Sequence, residues 1–245
     1  MTRFLVAFAL CLLLSGCDGG SPAPAPTPAP VPSPPPVAIM PERRGRKIWE
    51  ADWAEPDIGA VRGFRDTSPP TLLGEGPWLL MDGPIPDNAY AAGDGTLTLG
   101  SGVPGWAMIT GRTFPRDAYC SLEWAACARL TSDVTDAFLG IGFYNGEWDY
   151  RTLNFMRGLT PGKLALVLLA EPAHTLQILE PDFCDEGSWN SFRMDVEDGV
   201  IRLWVNGKPV PIPSHNPPEK DPHVCVFIGG MAARLSRMNM FSEGL

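Results

Sequence analysis

GSWNSFRMDVEDGVIRLWVNGKPV, residues 187–210, is the stretch on which the fold turns. Two segments of alternating apolar and polar residues flank Asp198-Gly199, and Asn206-Gly207 closes the second. Asp-Gly and Asn-Gly favour the two-residue type I′ turn, because both central residues need positive φ. With that turn at 198–199, Val196 lies opposite Ile201, Met194 opposite Leu203 and Phe192 opposite Val205. All these apolar residues then share one face, so turn chemistry and binary pattern agree on one register. On the other face Asp195 meets Arg202 and Arg193 meets Trp204, for which a salt bridge and a cation–π contact are expected.

Outward from this hairpin the same period of two recurs in short runs separated by turn dipeptides. GTLTLG (95–100), WAMITG (106–111), AYCSLEWAA (118–126), FLGIGFY (138–144) and YRTLNFM (150–156) read as strands. So do TLQILE, HVCVFIGG and RLSRMNMF. KLALVLLA (163–170), bounded by Gly162 and Pro172, reads as a buried strand, being too short for a stable helix. Residues 63–93, rich in Gly and Pro, are expected to form a long irregular excursion. The expectation is one all-β domain over residues 46–245, long enough for a substantial core.

Three stretches add a resemblance. The Trp-x-x-Phe, strand, Asp-Gly, strand, Asn-Gly-Lys order of 187–210 resembles the signature of concanavalin A-like lectin/glucanase sandwiches, which include laminin-G-like modules. FIGGMAARLSRMNMF (227–241) resembles their closing strand pair, and IWEADWAE (48–55) their opening strand. The resemblance implies a two-sheet jelly roll with one concave sheet that often holds glycan. A fold of this kind hosts many functions, so function has to be argued from the site.

The N-terminus speaks to compartment. Arg3 precedes an apolar run, Phe4–Leu14, that is too short for a stable transmembrane anchor and has the form of a signal peptide. Leu14-Ser15-Gly16-Cys17 resembles the lipobox of bacterial lipoproteins, which implies removal of residues 1–16 and lipidation of Cys17. Asp18 resembles an inner-membrane retention signal whose meaning varies between bacteria, so the leaflet stays open. Ser21–Ala38 holds nine prolines in eighteen residues. Such a segment cannot pack a core and is expected to be a polyproline II spacer of about 55 Å within a 17–45 linker. The basic cluster Arg43, Arg44, Arg46 and Lys47 is either a contact for anionic headgroups or the solvated end of that linker. The protein is expected in the bacterial cell envelope, periplasmic or surface-facing.

The formal net charge is −9, and without Arg3 the chain carries 18 basic against 28 acidic residues. That balance argues against nucleic acid as a partner. Cys120, Cys127, Cys184 and Cys225, in an exported chain, suggest up to two disulfides of undetermined pairing. Their spacing offers no zinc site, and neither a metal nor a cofactor is expected.

GFYNGEWDYRTLNF (142–155) is the candidate site. A three-residue loop, Asn145-Gly146-Glu147, places Leu139 opposite Leu153, Gly142 opposite Tyr150 and Tyr144 opposite Trp148. One face then carries Tyr144, Trp148, Tyr150, Thr152 and Asn154, with Gly140 and Gly142 leaving room above the sheet. Aromatic rings suit the apolar faces of sugars, and hydroxyl and amide groups suit their edges. The alternative is that these rings simply cover the edge of a sandwich.

A catalytic reading rests on Glu147 and Asp149. Family-16 glycoside hydrolases, which share the resembled fold, use a Glu-x-Asp-x-(x)-Glu strand on the concave face, and here the final glutamate is missing. Retaining chemistry needs carboxyl groups about 5–5.5 Å apart, whereas this register puts Glu147 in the loop and Asp149 on the core-facing parity, beside Arg151. Glu123 is a distant candidate partner. His174 or His215 could serve a polysaccharide lyase beside Tyr150, and Asp52 or Glu243 a cation, but neither reading is supported by a spacing motif. The leading reading is a membrane-anchored lipoprotein that binds an envelope or extracellular polysaccharide. The alternatives are a glycoside hydrolase or polysaccharide lyase, and a scaffold for protein partners.

Overall fold

The computed structural model describes residues 44–51, 78–82, 90–91, 95–100, 106–110, 113–114, 118–131, 137–145, 150–170, 175–198, 200–212 and 221–243. Sixteen strands and no helix lie among them: β1 Arg46–Ala51, β2 Trp78–Asp82, β3 Tyr90–Ala91, β4 Leu97–Gly100, β5 Trp106–Thr110, β6 Cys120–Leu130, β7 Phe138–Tyr144 and β8 Tyr150–Arg157, then β9 Lys163–Ala170, β10 Thr175–Asp185, β11 Asn190–Glu197, β12 Val200–Val205, β13 Lys208–Val210, β14 His223–Gly229, β15 Met231–Leu235 and β16 Met238–Ser242. The fold is the all-β, two-sheet sandwich expected. β2 and β3 fall inside 63–93, so that segment is not uniformly irregular; Trp78–Asp82 pairs with β5 and Tyr90–Ala91 with β4.

A seven-stranded sheet runs β10-β9-β8-β7-β14-β5-β2, and a nine-stranded sheet runs β13-β12-β11-β6-β15-β4-β3, with β16 pairing both β6 and β1. Among the described residues every strand pairing is antiparallel, as between Leu139 and Phe155 or Met194 and Leu122. The β11–β12 hairpin has the register read from its turn, with Phe192 against Val205, Met194 against Leu203 and Val196 against Ile201. All six are buried. Asp198 has φ 50°, and Asn206 and Gly207 have 51° and 78°, as type I′ turns require.

On the hairpin's other face Arg193 lies 5.0 Å from the centre of the Trp204 ring, as expected. The ion pairing differs. Asp195 is taken by Arg193, whose Nε donates to Oδ1 at 2.7 Å and Nη2 to Oδ2 at 2.8 Å. Arg202, exposed on β12, turns to Glu197. The bidentate fork of a two-residue neighbour on the same face outcompetes the cross-strand partner.

One corner of the sandwich is a single residue. Gly230, with φ 63°, carries the chain from β14 in one sheet into β15 in the other, and its carbonyl accepts a 3.0 Å bond from Thr131 N. A residue with a side chain is disfavoured at that φ. β15 and β16 run along the same edge of β6, with Ser236-Arg237 bulging between them: Leu235 faces Ala126, whereas Asn239 faces Glu123. Ser236 holds the bulge, its Oγ accepting from Ala125 N at 2.8 Å. Between the sheets Phe155 of β8 meets Phe192 of β11 at 5.5 Å, and Phe192 stacks on Trp124 at 5.4 Å. Each such pair adds about 0.5–1.5 kcal/mol beyond area burial.

The four domain cysteines are thiols. The expected disulfides are absent because alternation disperses the side chains. Cys120 lies on the core face of β6 and Cys127 on its outer face, while Cys225 and Cys184 belong to the other sheet. Burial pushes the Cys120 thiol up to about 12, with the Asp195 charge adding to it, and Cys184 up to about 11. Of the basic cluster, Arg44 lies 4.7 Å from the Tyr119 ring centre and pairs with Glu197 and Glu243, while Lys47 pairs with Glu50. These two cations are engaged by the sandwich itself. Residues 1–43, including Cys17, lie outside the described residues.

Candidate functional site

β7 and β8 meet at Tyr144 and Tyr150, which are direct cross-strand partners, with Gly142 against Thr152 and Leu139 against Phe155. The register is therefore two residues away from the one expected, and five residues, 145–149, separate the strands. A shift of two preserves the face of every side chain, because the strand period is two. Leu139, Ile141, Phe143, Leu153 and Phe155 point into the core, and Tyr144, Tyr150, Thr152 and Asn154 share the outer face, as read from the alternation. With the longer loop Ile141 meets Leu153, and Arg151 stands opposite Phe143. Trp148, Glu147 and Asp149 lie outside the described residues, as do Asp52, His174 and His215.

On the outer face the two tyrosines gain a third ring. Phe227 of β14 lies 5.7 Å from Tyr150 and 6.4 Å from Tyr144, while the tyrosines are 6.4 Å apart. His223, cross-strand partner of Tyr144, completes the row at that end of the sheet. Tyr144 is 8% exposed, and Tyr150, Phe227 and His223 are half-buried. Phe227 and His223 were not singled out from the sequence. The alternation His223, Cys225, Phe227 does mark a shared face, but His223 lies more than seventy residues from Tyr150 along the chain, and only tertiary pairing brings them together.

Asn154 supports the sheet. Its Nδ2 donates to Thr152 O at 2.9 Å, to Thr152 Oγ1 at 3.1 Å and to Val167 O at 3.4 Å. Its Oδ1 lies over Gly140, where a Cβ would be only 2.2 Å away. The space expected above Gly140 is thus filled by the Asn154 amide, and Thr152 and Asn154 are both buried. Cys225, between His223 and Phe227 in alternation, is fully buried, and desolvation holds its thiol well above the ordinary range. It is no nucleophile.

Among the described residues the outer face of β9, β8, β7 and β14 carries Lys163, Ala165, Val167, Leu169, Tyr150, Thr152, Asn154, Met156, Phe138, Gly140, Gly142, Tyr144, His223, Cys225, Phe227 and Gly229, with no carboxylate. Glu123, considered as a distant acid partner, sits on β6 of the other sheet, on that sheet's outer face between Arg193 and Asn239. The two outer faces point away from each other across a core of about 10 Å, so Glu123 joins no pair with residues on this face. No group of three metal-ligating side chains occurs among the described residues.

No protein-family model and no curated protein matches the chain. Solved structures do match in fold. One is among the endo-acting O-glycanases that prominent members of the human gut microbiota express to initiate mucin breakdown; it has 11% identity and a TM-score of 0.55, over 80% of this chain and 99% of that one. A β-1,3-glucanase from Mycobacterium marinum has 9% identity and a TM-score of 0.53, over 81% of this chain and all of that one. Of a sialidase, with 15% identity and a TM-score of 0.49, the chain spans only 17% of the length. At these identities the likeness is one of fold, and the fold is the concanavalin A-like sandwich.

Proposed function

We propose that this protein binds a polysaccharide through the outer face of the seven-stranded sheet, with Tyr144 and Tyr150 as ring contacts joined by Phe227 and His223. The observation that carries this reading is the three-ring cluster on a face whose four central strands hold no carboxylate among the described residues. The half-buried Tyr150 and Phe227 offer apolar surface to a sugar, the buried Tyr144 ring backs them, and the Tyr150 hydroxyl and His223 imidazole offer polar edges. At alternate positions of β8 stand Tyr150, Thr152 and Asn154, a ring, a hydroxyl and an amide with no acid among them. Trp148 extends the platform in this proposal, and Asn154 acts by holding the sheet flat beneath it. The fold likeness to carbohydrate-active proteins supports a glycan ligand. The chain is further proposed to be a lipoprotein of the bacterial envelope, anchored through Cys17 and held off the membrane by its proline-rich linker.

Native affinity electrophoresis in gels carrying a panel of bacterial and plant polysaccharides tests the reading. Retardation in one gel, lost in Tyr150→Ala and Phe227→Ala with the polymer left intact, is the expected result. A cleared zone that disappears in Glu147→Gln or Asp149→Asn would establish a hydrolase or lyase instead. Free migration in every gel, together with recovery of one protein partner, would favour the scaffold.

A further inference from the structure

A second constellation lies on the outer face of the nine-stranded sheet, at the end far from Tyr144. Arg129 of β6 and Arg234 of β15 are diagonal neighbours there: Arg234 pairs with Cys127, and Arg129 with Ala232. Diagonal positions in an antiparallel pair are about 7–8 Å apart, within joint reach of one oxyanion. Trp189, in the connection between β10 and β11, lies beside them, with the Arg234 guanidinium 5.9 Å from its ring centre. Thr96 orients Arg234, its Oγ1 accepting from Nη2 at 2.8 Å.

Arg129 is held differently. Its guanidinium lies over Gly187, where a Cβ would stand 2.5 Å from Nε, and Gly187 has φ 78°. Among the described residues the Arg129 side chain makes no hydrogen bond and no ion pair. Glu186, which follows β10, directs Oε2 to Leu130 N at 2.9 Å. Ala232 and Gly100 leave the neighbouring positions of the face low. Both guanidinium charges act on the Cys127 thiol between them, which burial nevertheless holds above its ordinary value. In a chain of net charge −9, two arginines, one of them unengaged, therefore converge on half-buried ground beside a tryptophan.

We propose that Arg129, Arg234 and Trp189 form a second glycan site that takes the carboxylate of an acidic sugar. The planar guanidinium fork matches a carboxylate bidentately, and the indole offers a face or edge to the sugar ring that bears it. The proposal uses none of Tyr144, Tyr150 or Phe227, so it stands or falls apart from the platform on the other sheet.

The experiment compares polygalacturonate with its fully methyl-esterified form in native affinity electrophoresis of the full-length protein in detergent. Polygalacturonate should retard the protein and the ester should not. Arg129→Ala should weaken retardation about tenfold, the scale of a lost charged hydrogen-bond pair, without changing the unfolding midpoint, because Arg129 supports no other residue. Arg129→Lys should weaken it too, since lysine keeps the charge and loses the fork. Tyr150→Ala should leave this retardation unchanged. Equal retardation by acid and ester, or an Arg129→Ala protein that binds as before, would overturn the proposal. So would binding to phosphatidylglycerol vesicles with none to polygalacturonate, which would assign the arginines to a phosphate headgroup.

Discussion

Arg193 and Asp195 form a bidentate pair whose side chains are each only 4% exposed, on the outer side of a sheet, with Tyr119 Oη accepting a further bond from Arg193 at 2.8 Å. Removing one partner leaves the other charge buried and unmatched. Arg193→Ala or Asp195→Ala should therefore lower stability by about 3–5 kcal/mol, whereas replacing both with well-packed apolar residues should cost far less. Urea unfolding of the two single variants and the double variant checks this through the midpoints. The same residue scale shows the limit of pattern reading. The sequence places Arg193, Asp195 and Arg202 on one face, which is correct, but which carboxylate each arginine selects depends on rotamers that alternation does not specify.

The β8–β9 turn is held as an element by one carboxylate. Asp182, on β10, accepts from Thr160 N at 2.9 Å and from Thr160 Oγ1 at 2.7 Å, and these bonds lower its affinity for a proton below that of an ordinary carboxyl group. A carboxylate whose folded pKa is depressed contributes stability that is present above its ordinary value, about 4. That contribution is lost as pH falls through the folded value. Stability measured by urea unfolding should consequently fall with acid below about pH 4, and Asp182→Asn should flatten that part of the profile. An unchanged profile would remove Asp182 from the acid response. Element existence was legible almost throughout: β7 spans Phe138–Tyr144 and β9 spans Lys163–Ala170, as their alternation and bounding residues indicate. β10 runs on to Asp185 through Pro181, which as an edge-strand residue need not donate to a ladder. The β7–β8 register was two residues off, because a shift of two leaves the binary pattern intact and so leaves no trace in it.

At the scale of the whole molecule, the strands place the aromatic cluster and the domain's first strand at one end. Arg46 pairs with Ser242, and Ser242 with Cys120, while Gly230 and Leu130 mark the opposite end. Tyr144, Tyr150 and His223 lie at the Cys120 end, since β7 runs down from Phe138, the partner of Gly229. A chain anchored through Cys17 would thus carry its proposed platform at the end where the linker enters. The four domain thiols predict that a reducing agent leaves the thermal midpoint unchanged, and that iodoacetamide modifies them only after unfolding. Cys120 near 12 and Cys184 near 11 carry almost no thiolate at neutral pH. Mass spectrometry of protein denatured without reductant should count all four as alkylated; two missing alkyl groups would mean a disulfide.

The sequence by itself determined the fold class, the β11–β12 hairpin to the residue and the face of Tyr144, Tyr150 and Asn154, because period-two alternation and type I′ turns are local properties of the chain. Only the tertiary structure decided that Phe227 and His223 join those tyrosines, that Asn154 fills the space over Gly140, and that Arg129 and Arg234 converge beside Trp189. Those contacts join strands distant in sequence, and their order in a sheet is set by which apolar faces pack together, a choice no single strand encodes.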